Sequence, residues 1–292
     1  MKAVVQTGTH GASSVAISEV EESPFFPTSV EIKTKKVPLL PYDIMKLYGE
    51  IEVGIPNILG YGAVCVVTKV GALRSKSLLG KRVIVLNPGG TFREKIISSM
   101  PPLTITIPDG VTDAEAAVVV GGADTAYMLM KKILHFKMKK VIILGANSVV
   151  GTILMQLLKI EYSDIKIIPK VRKESQAYFE KLVEKLEMAS FISAEEMPED
   201  TLVVDIAGNR DLVTYYNGRS FQIISVAIQD MVGPMFVSEP IFPKEYSLIF
   251  DMIAQKTLRV FVNQDFSVNK ISEAINYQKN SHSRGRNVIS FE

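Results

Sequence analysis

Short runs of apolar or alternating residues fill the chain up to about residue 110. Turns rich in glycine, proline and serine separate them, and strands of this length and spacing are typical of a β-barrel or sandwich. One segment, 41–48, has helical spacing instead. The predicted strands cover residues 2–6, 15–20, 29–37, 63–70, 81–86 and 92–98.

The pattern changes at Asp113, where an acidic first turn opens a predicted helix. Strands and helices then alternate, which predicts a parallel sheet covered by helices. The longest predicted helix, 174–188, has apolar positions that share one face and continue to Ala189. From Leu258 onward, strand-like runs return on either side of a short helix at 268–279. The other segments predicted here are a helix at 124–134 and strands at 141–144, 165–168, 202–206 and 221–226.

Residues 141–159 read as a strand, a tight turn and a helix. In a doubly wound α/β domain, such a turn directs backbone N–H groups and the positive end of the helix dipole toward a dinucleotide pyrophosphate. Of the glycines in the G-x-G-x-x-G pattern, only the outer two are present, and many α/β proteins have a similar turn that binds nothing. The candidate cofactor-binding residues of the turn are Gly145, Ala146, Asn147, Ser148, Val149, Val150 and Gly151.

Charge and composition narrow the possible partners. Thirty-three basic and 31 acidic residues leave a net charge of +2, which gives no reason to expect nucleic acid or an acidic membrane, so we expect a small-molecule partner. The single cysteine, Cys65, excludes an internal disulfide framework and indicates a reducing compartment. No apolar run approaches the roughly 20 residues of a membrane span, and the first residues do not have the pattern of a signal peptide. We therefore expect a cytoplasmic protein.

Nine segments carry a family resemblance and occur in the expected order: 41–49, 59–71, 80–86, 90–96, 107–117, 124–130, the glycine turn, 205–208 and 281–291. The chain resembles the medium-chain dehydrogenase/reductase superfamily, in its zinc-free quinone oxidoreductase and trans-2-enoyl thioester reductase branch. The resemblance implies an α/β protein with a GroES-like β-barrel domain, 1–115 plus 262–292, and a Rossmann NADP-binding domain with a doubly wound parallel sheet, 116–261. It also implies a homodimer joined through an edge strand of the nucleotide-binding sheet.

The alcohol dehydrogenases of this superfamily hold a catalytic zinc ion, and the chain lacks the matching ligands. Leu40 and Pro41 stand where the first cysteine ligand would be. The three histidines, His10, His135 and His282, lie in separate predicted segments, and Cys65 falls in a strand-like run that predicts a buried structural thiol. We therefore predict no metal site. Without a Lewis acid to stabilise an alkoxide, alcohol oxidation is disfavoured.

Charge after the second predicted strand of this domain indicates which cofactor is used. An NAD site needs an acidic residue about 20 residues beyond the glycine turn, where it binds the ribose 2′-hydroxyl. This chain has Lys170, Arg172 and Lys173 there, and cationic side chains suit a 2′-phosphate, so NADP(H) is favoured. The alternative is a solvated helix start, although basic residues are unfavourable at that end of the helix dipole.

Six further residues are implied as cofactor contacts by the resemblance alone. Four of them have an ordinary alternative: a helix-start hydroxyl for Thr125, a strand-to-helix turn for Ala207 and Gly208, and a solvated tail charge for Arg286. They are Thr125 near the nicotinamide, Ala207 and Gly208 under the adenine-side ribose, Val226 and Ala227 in the nicotinamide pocket, and Arg286, which would reach the cofactor.

The catalytic position departs from the relatives. Where enoyl thioester reductases have a tyrosine that acts on the substrate carbonyl, this chain has Ile51, and Leu40 replaces the asparagine of quinone reductases. Tyr48 and Tyr42 are the candidate catalytic residues, as phenols that donate a hydrogen bond to a developing enolate oxygen; the alternative is half-buried packing. The sequence thus predicts an NADPH-dependent reductase of quinones or α,β-unsaturated carbonyls, including enones and enoyl thioesters. The alternative is a catalytically inactive NADP-binding sensor or structural relative.

Overall fold

The computed structural model describes residues 1–188, 197–281 and 284–291, so Ala189 and His282 lie outside the described residues. The strands are β1 (Lys2–Gln6), β2 (Val15–Glu19), β3 (Val30–Pro38), β4 (Asn57–Ile58), β5 (Gly62–Val70), β6 (Arg82–Leu86), β7 (Lys95–Ser98), β8 (Thr104–Thr106), β9 (Lys140–Leu144), β10 (Lys166–Lys170), β11 (Thr201–Asp205), β12 (Gln222–Ser225), β13 (Met235–Phe236), β14 (Val262–Ser267) and β15 (Arg286–Ser290). The helices are α1 (Pro41–Leu47), α2 (Asp113–Val118), α3 (Asp124–Phe136), α4 (Val149–Glu161), α5 (Gln176–Lys185), α6 (Arg210–Asn217), α7 (Pro243–Ala254) and α8 (Ile271–Asn280). No helix in the described ranges is long and apolar enough to cross a membrane.

The chain divides into two compact units, Met1–Gly121 with Phe242–Glu292, and Gly122–Ile241. We call them the β-rich unit and the sheet unit. The sequence placed the boundaries at 115/116 and 261/262. The β-rich unit instead retains α7, which packs against β8, while Lys256 Nζ lies 3.1 Å from Glu115 Oε1. These contacts join α7 and the turn that follows it to residues far away in sequence, so local pattern does not reveal them.

Strand β3 is the centre of the β-rich unit. One edge of β3 pairs with β5, and the other pairs with β7 near its start and with β15 near its end. The large sheet has the order β14-β15-β3-β5-β6-β8, and a smaller sheet has the order β2-β1-β4. Alternate residues of β3, Val30 and Ile32, point into the core, where Phe92 is also fully buried. Burial of these side chains is the main force that holds the barrel together.

Two buried charged side chains tie loops to this barrel. Asp43, in the first turn of α1, accepts hydrogen bonds from Leu40 N at 2.9 Å and Gly60 N at 3.0 Å. Burial raises the pKa of the Asp43 carboxyl, and the two N–H groups and nearby positive charges only partly oppose this. Arg286, in β15, donates to Gly121 O at 2.6 Å and to Leu39 O at 3.5 Å. Both residues hold the segment that leads into α1.

The sheet unit has five described strands, all paired in parallel, in the order β10-β9-β11-β12-β13. Its central strands are apolar over most of their length because helices cover both faces of such a sheet. The chain runs from β9 outward to β10 and then returns to the other side of β9 for β11. Ligands of open α/β sheets bind at this reversal, beyond the carboxyl ends of the strands.

Candidate cofactor site

The turn after β9 begins with a glycine that the backbone requires. Gly145 has a φ of 87°, a conformation that other residues rarely adopt. A Cβ atom at this position would lie 3.1 Å from Ala207 Cβ and 3.3 Å from Ala207 N. The N–H groups of Gly145 and Ala146 both donate to Lys170 O, at 3.1 and 3.3 Å. The turn is thereby fixed between the ends of β10 and β11.

Helix α4 starts directly from this turn, and Ser148 is its N-cap. Ser148 Oγ accepts a hydrogen bond from Gly151 N at 3.0 Å, and Ser148 N donates to Gly145 O at 2.9 Å. The N–H groups of Val149 and Val150 lie in the first turn, where helix geometry provides no intrahelical acceptor. With the positive end of the helix dipole, they form a donor set that suits an anion.

Gly151 allows α4 to approach the turn. A Cβ atom here would lie 2.4 Å from Gly145 O and 2.8 Å from Ala146 Cα, which are backbone atoms with no room to move. This glycine therefore serves close packing of helix on strand, the role of the last glycine in dinucleotide-binding turns.

Three basic residues, Lys170, Arg172 and Lys173, lie where β10 ends; we call them the basic turn. Lys170 pairs with Leu144 in the sheet, so it stands next to Gly145. Arg172 and Lys173 are exposed, and Lys173 opens a short 3₁₀ turn that precedes α5. The basic turn therefore lies beside the glycine turn, on the β10 side of the point where the strand order reverses.

On the other side of that point, the loops after β11 and β12 lie side by side. Gly208 has a φ of 66°, and a Cβ atom there would meet Ala227 Cβ at 3.4 Å. Val226 N donates to Asp205 O at 3.1 Å. Together with the approach of Gly145 to Ala207, these contacts place Gly145, Ala207, Gly208, Val226 and Ala227 along one edge of the sheet.

Asp205 and Ser225 underlie these two loops, and neither was among the predicted site residues. Both are fully buried, and Ser225 Oγ donates to Asp205 Oδ2 at 2.7 Å. Asp205 Oδ1 accepts from Gly208 N at 3.0 Å. One feature of the sequence could have identified them. Each is a polar residue at the end of an otherwise apolar strand, in LVVD and again in IIS.

The remaining predicted residues are found in three places. Thr125 is the second residue of α3, in the sheet unit, and its hydroxyl donates to Asp124 Oδ1 at 3.2 Å. Arg286 is buried in the β-rich unit on the carbonyl oxygens described above. Tyr42 and Tyr48 are both in or next to α1 of the β-rich unit.

The two tyrosines have different surroundings. Tyr48 packs on Gly11 so closely that a Cβ atom on this glycine would lie 2.6 Å from the phenol oxygen. Lys279 Nζ lies over the Tyr48 ring, 4.3 Å from its centroid. Tyr42 is 45% exposed, with Lys46 Nζ 4.4 Å from its ring centroid. Tyr42 is thus more exposed than Tyr48, which is half-buried.

Within residues 1–188, 197–281 and 284–291, no three His, Cys, Asp or Glu side chains cluster as metal ligands would. Cys65 lies in β5 in the barrel core and is fully buried. Burial raises the pKa of the Cys65 thiol to about 12. A thiol with such a pKa holds its proton at neutral pH and is a poor nucleophile.

Cys65 should therefore resist alkylation in the folded protein. We expect iodoacetamide at pH 8 to leave the native protein unmodified and to modify one site per chain after denaturation, because unfolding returns the thiol to water and to its ordinary pKa. Mass spectrometry of the two reactions provides the measurement. Rapid labelling of the native protein would contradict the burial of this thiol.

Comparison with known proteins identifies the fold. No protein-family model and no curated protein matches the chain. It is similar to the solved quinone oxidoreductase from Coxiella burnetii, with 18% identity and a TM-score of 0.82 over 100% of this chain and 99% of that chain. It is also similar to a cobalt- and zinc-bound thermostable alcohol dehydrogenase from Pyrobaculum aerophilum, with 14% identity and a TM-score of 0.78 over 100% of this chain and 99% of that chain.

A third similar structure is a short chain alcohol dehydrogenase from E. coli CFT073 in complex with NADH, with 16% identity and a TM-score of 0.79 over 100% of this chain and 99% of that chain. The predictions of a GroES-like β-barrel and a Rossmann parallel sheet are confirmed. The chain therefore has the same fold as these solved oxidoreductases.

Proposed function

We propose that the protein is a zinc-independent oxidoreductase of the quinone oxidoreductase branch, which uses NADPH to reduce a quinone or an α,β-unsaturated carbonyl such as an enone or enoyl thioester. The observation that carries the proposal is the edge of the sheet unit. There a serine-capped glycine turn lies between a basic turn and the close-packed loops after β11 and β12. The likeness of the fold to the Coxiella burnetii quinone oxidoreductase supports it.

The donor set fits a dinucleotide with an additional phosphate. The N–H groups of Val149 and Val150, at the start of α4, would hold the pyrophosphate. The basic turn would hold the 2′-phosphate, since Lys and Arg side chains pair well with phosphate oxygens. From the resemblance, Ala207 and Gly208 were assigned to the adenine-side ribose. Because they follow β11, on the side of the strand-order reversal away from β10, we propose instead that the loops after β11 and β12, with Thr125, hold the nicotinamide half. When bound, NADPH supplies the hydride, and this chain supplies position and electrostatics.

For the substrate oxygen, we favour Tyr42 over Tyr48. A phenol that donates a hydrogen bond stabilises negative charge as it develops on a carbonyl oxygen. Tyr42 is exposed, whereas the Tyr48 ring is packed on Gly11. For Arg286, we propose a positioning role through Leu39 O and Gly121 O rather than direct contact with the cofactor.

The function is tested by NADPH oxidation in the presence of a small quinone, an enone or a short enoyl thioester. We expect oxidation with at least one acceptor. Tyr42→Phe removes the hydroxyl group and should lower kcat by about 10- to 100-fold, as expected for the loss of one hydrogen-bond donor to a charged oxygen. Tyr48→Phe should retain activity. A large loss with Tyr48→Phe alone would transfer the role to Tyr48. No oxidation with any acceptor at high protein concentration would refute the enzymatic proposal.

The second candidate function is an NADP-binding sensor or structural relative without catalysis. It is favoured by Leu40, whose buried side chain lies so close to Gly121 that a Cβ atom there would be 2.8 Å from Leu40 Cδ2. An apolar residue therefore occupies a position where quinone reductases have an amide. Binding of NADPH in calorimetry without turnover of any acceptor would support the sensor.

Val149 predicts weak binding of NADPH. It is the first residue of α4 and half-buried, at the place where the pyrophosphate would approach the N–H groups. Relatives have glycine there, so we expect Val149→Gly to increase NADPH affinity by removing side-chain crowding. The measurement is the dissociation constant by calorimetry. Unchanged or weaker affinity would show that the valine does not crowd the cofactor.

We also propose a homodimer joined through β13. This short strand pairs with β12 on one side and is at the end of the described strand order, and Met235 and the nearby Val232 are exposed. An edge strand with exposed apolar residues readily pairs with a second chain. Sedimentation velocity is expected to give the mass of a dimer, and a concentration-independent monomer would contradict this proposal.

A further inference from the structure

We infer that Asp205 and Ser225 are a positioning pair, which fixes the two loops of the nicotinamide half before the cofactor binds. This inference rests on the proposed function. Asp205 is the last residue of β11 and Ser225 the last of β12, and the two stand opposite each other in the sheet. Both side chains are completely buried at the edge where the candidate site lies.

The hydroxyl of Ser225 uses its full hydrogen-bonding capacity. It donates its proton to Asp205 Oδ2 at 2.7 Å and accepts from Ala227 N at 3.1 Å and Ile228 N at 2.9 Å. A serine hydroxyl has one proton and two acceptor lone pairs, so this arrangement is complete. Asp205 Oδ1 in turn accepts from Gly208 N at 3.0 Å. One side-chain pair thereby connects the loop after β11 to the loop after β12.

Sheet stability alone does not require these residue types. A buried carboxyl group is unfavourable unless it is well hydrogen-bonded, and apolar residues occupy the positions before Asp205 and Ser225. The side chains of the pair accept hydrogen bonds from backbone N–H groups of the two loops, namely those of Gly208, Ala227 and Ile228. They hold Gly208 in its left-handed conformation against Ala227. The pair therefore acts on the loop backbone.

The location of the loops determines which half of the cofactor depends on the pair. In doubly wound folds, a dinucleotide crosses the point where strand order reverses, and its adenosine ribose lies at the end of the second strand. That strand is β10, with the basic turn. The loops after β11 and β12 lie beyond the reversal and face the other nucleotide. Fixing them in advance lowers the entropy lost on binding the nicotinamide half.

The pair is tested with Ser225→Ala and two ligands, NADPH and adenosine 2′,5′-bisphosphate. We expect Ser225→Ala to weaken NADPH binding about tenfold, the equivalent of one lost hydrogen bond, and to leave adenosine 2′,5′-bisphosphate affinity within about twofold. Thr201→Val is the matched control. Thr201 is a buried hydroxyl at the opposite end of β11 that donates to Asp200 Oδ1 at 3.0 Å, so its loss should lower stability without changing either affinity.

A second measurement needs no variant. In the nucleotide-free protein, the amides of Gly208, Ala227 and Ile228 should be protected from hydrogen exchange, because side chains of the pair bond them. Unprotected amides would overturn the inference, as would NADPH affinity unchanged in Ser225→Ala or equally lowered in Thr201→Val. If the wild-type protein binds neither ligand, the proposed function fails instead, and amide protection still tests the loop contacts.

Discussion

Gly151→Ala is expected to lower the free energy of unfolding of the sheet unit by about 3 kcal/mol and to abolish NADPH binding. The added methyl group would lie 2.4 Å from Gly145 O and 2.9 Å from Ala146 O, so the turn and the start of α4 must separate. Separation would break the Ser148 cap and displace the N–H groups proposed to hold the pyrophosphate. Urea unfolding followed by circular dichroism and an NADPH titration measure the two effects.

Gly218→Ala is the matched control for this substitution. Gly218 follows α6 with a φ of −64°, and a Cβ atom would have its nearest contact at 3.4 Å, with Thr214 O. Alanine fits this conformation and restricts the unfolded chain, so stability should be unchanged or slightly higher. Equal stability and NADPH affinity in Gly151→Ala and Gly218→Ala would show that the turn does not depend on a glycine at 151.

Arg172→Ala is expected to weaken NADPH binding about 10- to 100-fold and to leave NADH binding nearly unchanged. A hydrogen bond between charged groups contributes about 1.5 to 3 kcal/mol, and only NADPH carries the 2′-phosphate. The difference between the two cofactors should shrink as salt is added, because salt screens exposed charges. Dissociation constants of both cofactors, at low and high salt, provide the measurement.

Lys166→Ala serves as the control for charge alone. Lys166 is an exposed residue at the first position of β10, at the end of the strand opposite Lys170. Lys166→Ala changes the net charge by the same amount as Arg172→Ala, but Lys166 lies away from the carboxyl edge of the sheet. If both variants lose NADPH affinity equally, the effect comes from the overall field of the protein and the basic turn has no specific role.

Much of the fold follows from local pattern. Strand β1 has the predicted bounds, and helix α3 begins at the predicted Asp124, because alternation and helical spacing are properties of neighbouring residues. No helix was predicted at α6 or α7, although both have start signals. Asn209 accepts from Leu212 N at 3.1 Å to cap α6, and Pro243 opens α7.

The candidate site shows where local pattern stops being informative. The glycine turn was predictable. Gly151 is required by its contacts with Gly145 and Ala146, a few residues away, and Gly145 by its positive φ and its contact with Ala207 after β11. The Asp205–Ser225 pair was not, because it joins the ends of two strands that only the fold brings together. Sequence also cannot distinguish a buried from a solvated arginine. Arg286 was therefore predicted as a cofactor contact, and its hydrogen bonds to Leu39 O and Gly121 O were not foreseen.

Calorimetric titration of the wild-type protein with NADPH and with NADH tests most directly whether an NADPH site lies at the carboxyl edge of the sheet unit. We predict one binding site per chain and an affinity for NADPH at least about tenfold higher than for NADH, the equivalent of about 1.4 kcal/mol contributed by the 2′-phosphate. Binding of neither cofactor, or tighter binding of NADH, would contradict it.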